Sequence, residues 1–317
     1  MTPKLNDIDV KLLRVFAAIV EAGGFAAAQA QLNVSPSRIS TQIADLEARL
    51  GMRLCQRGRV GFRLTDKGRA VYEASRRLFA GLEDFRAEVG AMRGRLVGEL
   101  QIGVVDNTIS NPDSRLDDAI ARFRGRDNDV HIVMHIAAPS ELERAVLDGR
   151  LHTAIGAFHH HAAGLAYERL FVEEQTLYCG RRHALFARPP ETLTRADVAA
   201  AAYAHRGYME GTKAKRPATF RPAATAYHME ALAVLVLSGR YIGYLPTHYA
   251  APWVERGQMR PLLPRELAYH SLFEVATRKG THRTLVVRAF LDDLRQAHRD
   301  VPPRERGSVP PGAPAPV

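Results

Sequence analysis

The stretch from Ser35 to Gly51 carries polar side chains whose types and spacing suit the reading of DNA base edges. Ser35 is a favourable N-cap and Pro36 suits the first helical position, so a helix is predicted to start there. Gly51 supplies the left-handed residue that ends it. Apolar residues recur along one stripe of this helix and leave a polar face on its first two turns. The residues of that face are Ser37, Arg38, Thr41 and Gln42, which we assign to the major groove. The neighbouring Ser35, Pro36 and Ser40 are also assigned to DNA binding.

The elements around this helix fit the same role. Apolar residues at helical spacing predict two preceding helices, over 8–20 and 25–32, so that three helices form a helix-turn-helix unit. Two short apolar strands then flank a turn between Gly58 and Gly61, which predicts a basic wing. The arginines of the wing are assigned to phosphates or the minor groove: Arg53, Arg57, Arg59 and Arg63. For Arg49, Arg53 and Arg63, a purely solvated role is the alternative.

The charge of the chain is concentrated in this region. The whole sequence has a formal net charge of +10 and a pI near 9.9. Between Arg38 and Arg77, ten Lys and Arg face four Asp and Glu, a surplus of six. A polyanion such as double-stranded DNA is the partner that this distribution favours.

A long amphipathic helix is predicted after the wing, over 66–94. Apolar side chains recur every seven residues on two neighbouring positions, which is typical of a coiled coil that pairs two protomers. The seam residues are Val71, Leu78, Leu82, Phe85, Val89 and Met92. A core helix of a globular domain is the alternative. A dimer would place two DNA-reading helices on a twofold axis.

From residue 95 the pattern changes to alternating strands and helices, which predicts α/β lobes. Lobe 1 is assigned to 95–166 and 271–300, and lobe 2 to 167–270, with crossing strands between them. The predicted strands are 99–105, 129–136, 151–157, 174–179, 202–206, 239–246 and 271–278. The predicted helices are 112–123, 140–148, 194–200, 229–238 and 281–299. Residues 301–317 hold six prolines and are predicted to be disordered.

Two lobes joined by crossing strands can close on a small molecule. Ligands of such sheets lie beyond the carboxyl ends of strands and near helix N-termini. The candidates at these positions are Asp106, Asn107, Thr108, Ser140, Gly207, Tyr208, Met209, Thr225 and Pro246.

Other chemistries have weaker support. Neighbouring histidines 159–161 cannot all converge on one metal ion, and Cys55 and Cys179 suggest neither a disulfide nor a metal site. No nucleophile or phosphate-loop motif stands out, so we expect neither catalysis nor a cofactor. The sequence also shows no signal peptide or membrane span, which favours the cytoplasm.

Together these residues carry a family resemblance. The spacing from Leu12 and Phe16 through Gly24-Phe25, Val34-Ser35 and Leu50-Gly51 to Gly68 resembles the winged helix-turn-helix of LysR-type transcriptional regulators. A weaker similarity runs on to about residue 300. The resemblance implies a homodimer or homotetramer that binds promoter DNA, RNA polymerase and a small effector. The alternatives are a solute-binding or enzymatic α/β protein with a helical dimerisation arm, or another winged-helix regulator with a different sensor.

Overall fold

The computed structural model of the chain describes residues 6–58, 61–92, 96–209, 220–280 and 284–300. It divides into two compact units: the first holds the residues up to Arg86 and the short stretch Asp148–Arg150, and the second holds the rest from Ala87 onwards. Predictions for Arg59 and for the tail 301–317 lie outside the described residues.

The first unit is built from short helices and a hairpin. Its elements are α1 (Asp7–Glu21), α2 (Phe25–Leu32), α3 (Pro36–Leu50), β1 (Cys55–Gly58), β2 (Gly61–Leu64) and α4 (Asp66–Met92), which continues into the second unit. Strands β1 and β2 are antiparallel, with Cys55 opposite Leu64. The core is formed by fully or nearly fully buried side chains of the helices and of the segment before β1, including Leu12, Phe16, Ile19, Ile39, Ile43, Leu46 and Leu54. The predicted helices and wing are therefore present.

Local signals fix the ends of α3. The Ser35 side chain accepts a hydrogen bond from the Arg38 backbone N–H at 3.4 Å, as an N-cap does. Gly51 has a φ of 66°, a left-handed conformation that costs glycine little. Arg49, near the end of α3, forms an ion pair with Asp9 of α1, and this pair lowers the pKa of the Asp9 carboxyl. The helix is therefore held at both ends.

The second unit alternates strands and helices. Its strands are β3 (Leu96–Val104), β4 (Asn128–Ile136), β5 (Thr153–Gly156), β6 (Leu165–Gly180), β7 (Tyr203–Arg206), β8 (Pro222–Ala226), β9 (Ile242–Pro246), β10 (Met259–Pro261) and β11 (Tyr269–Arg278). Its helices are α5 (Leu116–Gly125), α6 (Pro139–Leu147), α7 (Arg195–Ala199), α8 (Met229–Leu237), α9 (Thr247–Glu255), α10 (Pro264–Leu267) and α11 (Leu285–Arg299).

These strands form one mixed sheet that serves two lobes. Within the described residues the strand order is β4-β3-β5-β11-β6-β9-β7-β8, with β10 beside β6. Strand β6 pairs with β11 through Leu165–Gln175 and with β9 through Gln175–Cys179, so it crosses from one lobe to the other. Separate apolar cores lie on either side of the crossing, around Phe123 and Phe290 in lobe 1 and around Leu177 and Tyr244 in lobe 2. The predicted fold class, with two α/β lobes and crossing strands, is confirmed.

Several predicted boundaries were wrong, each for a local reason. The helix predicted from residue 112 starts at Leu116, because a 3₁₀ turn over Thr108–Ser110 and the left-handed Arg115 come first. The strand predicted at 174–179 is the second half of β6, whose first half carries exposed polar side chains that hid its periodicity. The predicted lobe boundary after residue 166 therefore divides a strand. Helix α11 starts at Leu285, directly after its N-cap Thr284, rather than at 281.

Other elements were not predicted at all. Strand β8 is short and rich in alanine, and α9 contains Pro252, which usually interrupts a helix. Strand β10 has only three residues. Their positions depend on pairing and packing in lobe 2 rather than on local sequence signals.

Helix α7 provides a pH-dependent contribution to the stability of lobe 2. The Asp197 carboxylate accepts hydrogen bonds from the Thr194 hydroxyl at 2.6 Å and the Thr194 N–H at 2.9 Å, and pairs with Arg188 at 2.6 Å. The Thr194 hydroxyl, the Arg188 guanidinium and the Thr194 N–H together lower the pKa of Asp197 to about 2. The unfolded chain has an aspartate pKa of about 3.9. This contribution is therefore complete above about pH 4 and is lost as the pH falls towards 2.

We expect Asp197→Asn to lower the urea midpoint at pH 6 and to have less effect near pH 3. Fluorescence of Trp253, the single tryptophan, reports the unfolding of this lobe. An equal effect of the substitution at both pH values would contradict this assignment.

Candidate DNA-binding surface and effector cleft

The polar face of α3 is exposed on the first unit. The side chains of Ser37, Arg38 and Thr41 are exposed, next to an exposed cap formed by Ser35 and Pro36. The hydroxyls of Ser40 and Thr41 donate to backbone oxygens one turn earlier, at 2.8 and 3.1 Å. Arg38 has the longest side chain on this face and is its only positively charged residue.

Gln42 is less accessible than the sequence predicts. Its side chain is half-buried, and its Oε1 atom is buried without a hydrogen-bond partner among the described residues. An adenine contact by both amide atoms would require the side chain to turn outwards.

The wing is anchored to α3 by backbone contacts. Oε1 of Glu47 accepts hydrogen bonds from the N–H groups of Leu54, at 2.7 Å, and Cys55, at 3.1 Å. The Thr65 hydroxyl donates to the Arg53 carbonyl at 2.8 Å and accepts from the Gly68 N–H at 2.9 Å. Arg53 and Arg63 are exposed, while the side chain of Arg57 and all of Arg59 lie outside the described residues.

The proposed pairing seam of α4 has two parts. Val71 and Leu78 are partly buried against the core of the first unit. Leu82 is half-buried, whereas Phe85 is 64% exposed and Val89 is 37% exposed. The side chain of Met92 lies outside the described residues. The first part of the seam is thus used within the protomer, and the exposed apolar surface lies further along the helix.

A narrow cleft lies between the lobes of the second unit, with a cavity volume of about 20 Å³. Of the predicted effector residues, Asp106, Asn107 and Tyr208 line it. The others do not belong to its lining: Thr108, Ser140, Gly207, Met209, Thr225 and Pro246. Thr108 and Met209 are buried, and the Thr108 hydroxyl donates to the Val105 carbonyl at 2.8 Å. Ser140 and Thr225 are exposed elsewhere.

Sequence reasoning missed the polar residues at the strand crossing. Glu173 and Gln175 of β6, Ser271 of β11 and Arg206 at the end of β7 all line the cleft. The available signal in β6 was a run of four polar residues, Glu173 to Thr176, between the apolar residues Val172 and Leu177. No local sequence pattern indicates that β7, which carries Arg206, joins the same sheet as these residues of β6.

Arg206 is a buried cation at the base of the cleft, only 7% exposed. Its Nη2 atom donates to Oε1 of Gln175 at 2.5 Å, to the Tyr244 carbonyl at 3.3 Å and to the Tyr269 hydroxyl at 3.4 Å. Burial lowers the pKa of the Arg206 guanidinium, but the neighbouring Tyr269 and Tyr208 outweigh burial, and the net shift is upwards. The side chain therefore stays charged.

A hydrogen-bonded chain connects Glu173 to both lobes. Its carboxylate accepts from Nε2 of Gln175 at 2.5 Å and from Nδ2 of Asn111 at 3.2 Å, and bonds Nε2 of His248 at 2.8 Å. Nδ1 of His248 lies 3.0 Å from the Ser110 hydroxyl. The chain thus joins lobe 1, the crossing strand and α9 of lobe 2.

Asp106 makes a second connection between the lobes. Its Oδ2 atom accepts a hydrogen bond from the Met229 N–H at 2.5 Å, at the N-terminus of α8. Nδ1 of His228 lies 3.8 Å from the same oxygen. A carboxylate at a helix N-terminus is favoured by the helix dipole.

The remaining candidate groups have other partners. His161 bonds Glu274 at 2.7 Å and stacks on Tyr167 with 4.0 Å between ring centroids, while His159 lines the cleft. The three histidines therefore have different surroundings.

Within the described residues, no group of three metal-ligating side chains exists, and no helix is long and apolar enough to cross a membrane. Both cysteines are buried, and burial raises the pKa of Cys179 to about 11.

These features define a protein with a winged helix-turn-helix unit joined to a two-lobed ligand-binding unit. Residues 10–69 match the model of the bacterial regulatory helix-turn-helix proteins of the LysR family, and residues 93–299 match that of the LysR substrate-binding domain. The chain therefore belongs to the LysR family of transcriptional regulators. This assignment separates it from solute-binding proteins and from other winged-helix regulators.

The most informative relatives are regulators as well. The chain is 43% identical over 290 residues to the HTH-type transcriptional activator BauR of Pseudomonas aeruginosa PAO1, covering 91% of this chain and 95% of BauR. It is 28% identical to the probable HTH-type transcriptional regulator LrrA of Synechococcus elongatus, with 93% and 99% coverage.

Solved structures support the fold. The crystal structure of CbnR, a LysR family transcriptional regulator, is similar with a TM-score of 0.64 and 20% identity, covering 92% of this chain and 99% of CbnR. Full-length CbnR complexed with its target DNA gives a TM-score of 0.62 and 21% identity, with 91% and 99% coverage. These two similarities support the fold of the chain, with an N-terminal helix-turn-helix and a two-lobed second unit.

Proposed function

We propose that α3 reads the major groove of an operator through the exposed face around Arg38. Arg38 is suited to guanine, since its guanidinium donates to O6 and N7 together. Ser37 and Thr41 stand beside it, and Ser35, Pro36, Ser40 and Gln42 complete the surface. The wing arginines Arg53, Arg57 and Arg59 neutralise phosphates. The exposed, capped N-terminal half of α3 carries this proposal.

We propose further that two protomers pair through α4, with Leu82, Phe85, Val89 and Met92 as the main seam. The exposed apolar side chains of Phe85 and Val89 support this. Val71 and Leu78 extend the seam where their outer edges face the partner. Pairing would place two α3 helices on half-sites about 34 Å apart, either in a dimer or within a tetramer.

The effector, on this proposal, binds in the cleft lined by Asp106, Asn107, Tyr208 and Arg206. It acts by binding one arrangement of the protein more tightly than another, which is the only energetic requirement for coupling. The protein acts in the cytoplasm with RNA polymerase and without catalysis of its own. The name of the 43% identical relative, a transcriptional activator, favours activation.

Footprinting of the bound promoter during a titration of candidate metabolites tests this coupling. We expect the cognate ligand to change the length or the hypersensitive positions of the protected region. A footprint that stays unchanged while a ligand saturates the cleft would contradict the proposed coupling.

A further inference from the structure

We infer that the effector is a small amphoteric molecule, with an anionic group such as a carboxylate for Arg206 and an ammonium group for Asp106. This inference deepens the proposed function and rests on it, because it names the chemical class that the cleft accepts.

The anionic group is inferred from the partners of Arg206. The described acceptors around its guanidinium are an amide oxygen, a carbonyl and a hydroxyl, all of them neutral. Among the described residues, no carboxylate lies within 4 Å of it, and Glu173 reaches it only through the Gln175 side chain. A buried charge is costly without an opposite charge. A ligand carboxylate would supply that charge.

The cationic group is inferred from the two acidic residues of the lining. Glu173 is already occupied by Asn111, Gln175 and His248. Asp106 uses Oδ2 for the N-terminus of α8, but no described hydrogen bond reaches its Oδ1 atom. Asp106 therefore retains an acceptor oxygen at the cleft, where an ammonium group would find a charge-assisted partner.

The two charged side chains, Arg206 and Asp106, line one cleft. Tyr208, two residues after Arg206, lines this cleft as well. The aliphatic part of the ligand would pack against the apolar side chains of Val105, Pro139 and Phe273, which line the same cleft. A dicarboxylate would meet repulsion from Asp106, and a simple amine would meet repulsion from Arg206.

The test uses the full-length protein and isothermal titration with three matched series. These are the α-amino acids together with linear ω-amino acids of two to six carbons, carboxylic acids of equal length, and amines of equal length. We expect binding within the amphoteric series. The acid and the amine that each lack one charge of the best ligand should bind at least about tenfold more weakly.

Substitutions then test which residue of the cleft binds each charged group of the ligand. Asp106→Asn keeps the size and should remove the preference for the amphoteric ligand over its matched acid. Arg206→Lys keeps the charge but loses the planar fork, and Arg206→Gln loses both, so affinity should fall in that order. Asp113→Asn, at an exposed aspartate outside the cleft, is the matched control. Trp253 fluorescence verifies that each variant is folded.

Two results would overturn the inference directly: equal or tighter binding of a matched acid or amine, or an amphoteric preference that survives Asp106→Asn. A third is that no member of the amphoteric series binds at ligand concentrations up to about 10 mM. Failure of the proposed coupling can be told apart from failure of this inference. If only the coupling fails, an amphoteric ligand still binds but leaves the promoter footprint unchanged.

Discussion

Gly68→Ala is expected to destabilise the DNA-binding unit severely. A Cβ atom at residue 68 would lie 1.8 Å from the carbonyl oxygen of Leu54 and 2.7 Å from its carbonyl carbon. These are backbone atoms, and the Leu54 N–H is held by Glu47. The backbone of α4 or of the wing would therefore have to shift to relieve the clash. We expect this to lower the free energy of unfolding by about 3 kcal/mol or more.

Gly81→Ala in the same helix is the matched control. A Cβ there would meet no atom within 4 Å. Because alanine favours helix more than glycine does, this variant should be more stable by about 0.5 to 1 kcal/mol. Urea unfolding followed by circular dichroism measures both variants. Trp253 fluorescence, which reports the second unit alone, should stay unchanged. An unfolding midpoint for Gly68→Ala equal to that of the wild type would contradict the predicted clash.

Arg38→Ala is expected to remove most of the sequence preference while weak, salt-sensitive binding persists. A bidentate arginine–guanine contact contributes about 1 to 3 kcal/mol of discrimination against the wrong base. On the proposed assignment the wing arginines bind phosphates, which every sequence carries, so their contribution should survive the substitution. Competition between the preferred duplex and a scrambled duplex of equal length measures the discrimination directly.

Arg77→Ala provides the control for net charge. Arg77 is exposed on α4, beyond the first two turns of that helix, and its removal changes the charge of the protein equally. We expect it to leave discrimination intact. A similar loss of discrimination in both variants would show that Arg38 acts only through its charge.

The DNA-binding unit is largely predictable from sequence because its signals are local. The N-cap Ser35, Pro36 after it and the left-handed Gly51 fix α3, and the apolar stripe fixes which face is buried. The burial of the Gln42 amide oxygen was not predictable in this way, because it depends on how neighbouring side chains pack.

The cleft was predictable only in part because long-range pairing builds it. Asp106 and Asn107 follow a strand directly, so the general rule for α/β sheets finds them. Arg206 and Glu173 line the same cleft only because β6 crosses between the lobes and β7 joins the same sheet through β9. Strand β6 looked like a half-length strand in the sequence, so its polar positions could not be placed at the crossing.

The most direct measurement of sequence-specific DNA recognition is selection of bound duplexes from a random library by the full-length protein, at a low and a physiological salt concentration. A partly palindromic site with half-sites about one helical turn apart should emerge, and affinity for it should fall as salt rises. Selection of no preferred sequence at either salt concentration would contradict the assignment of α3 as the element that reads DNA.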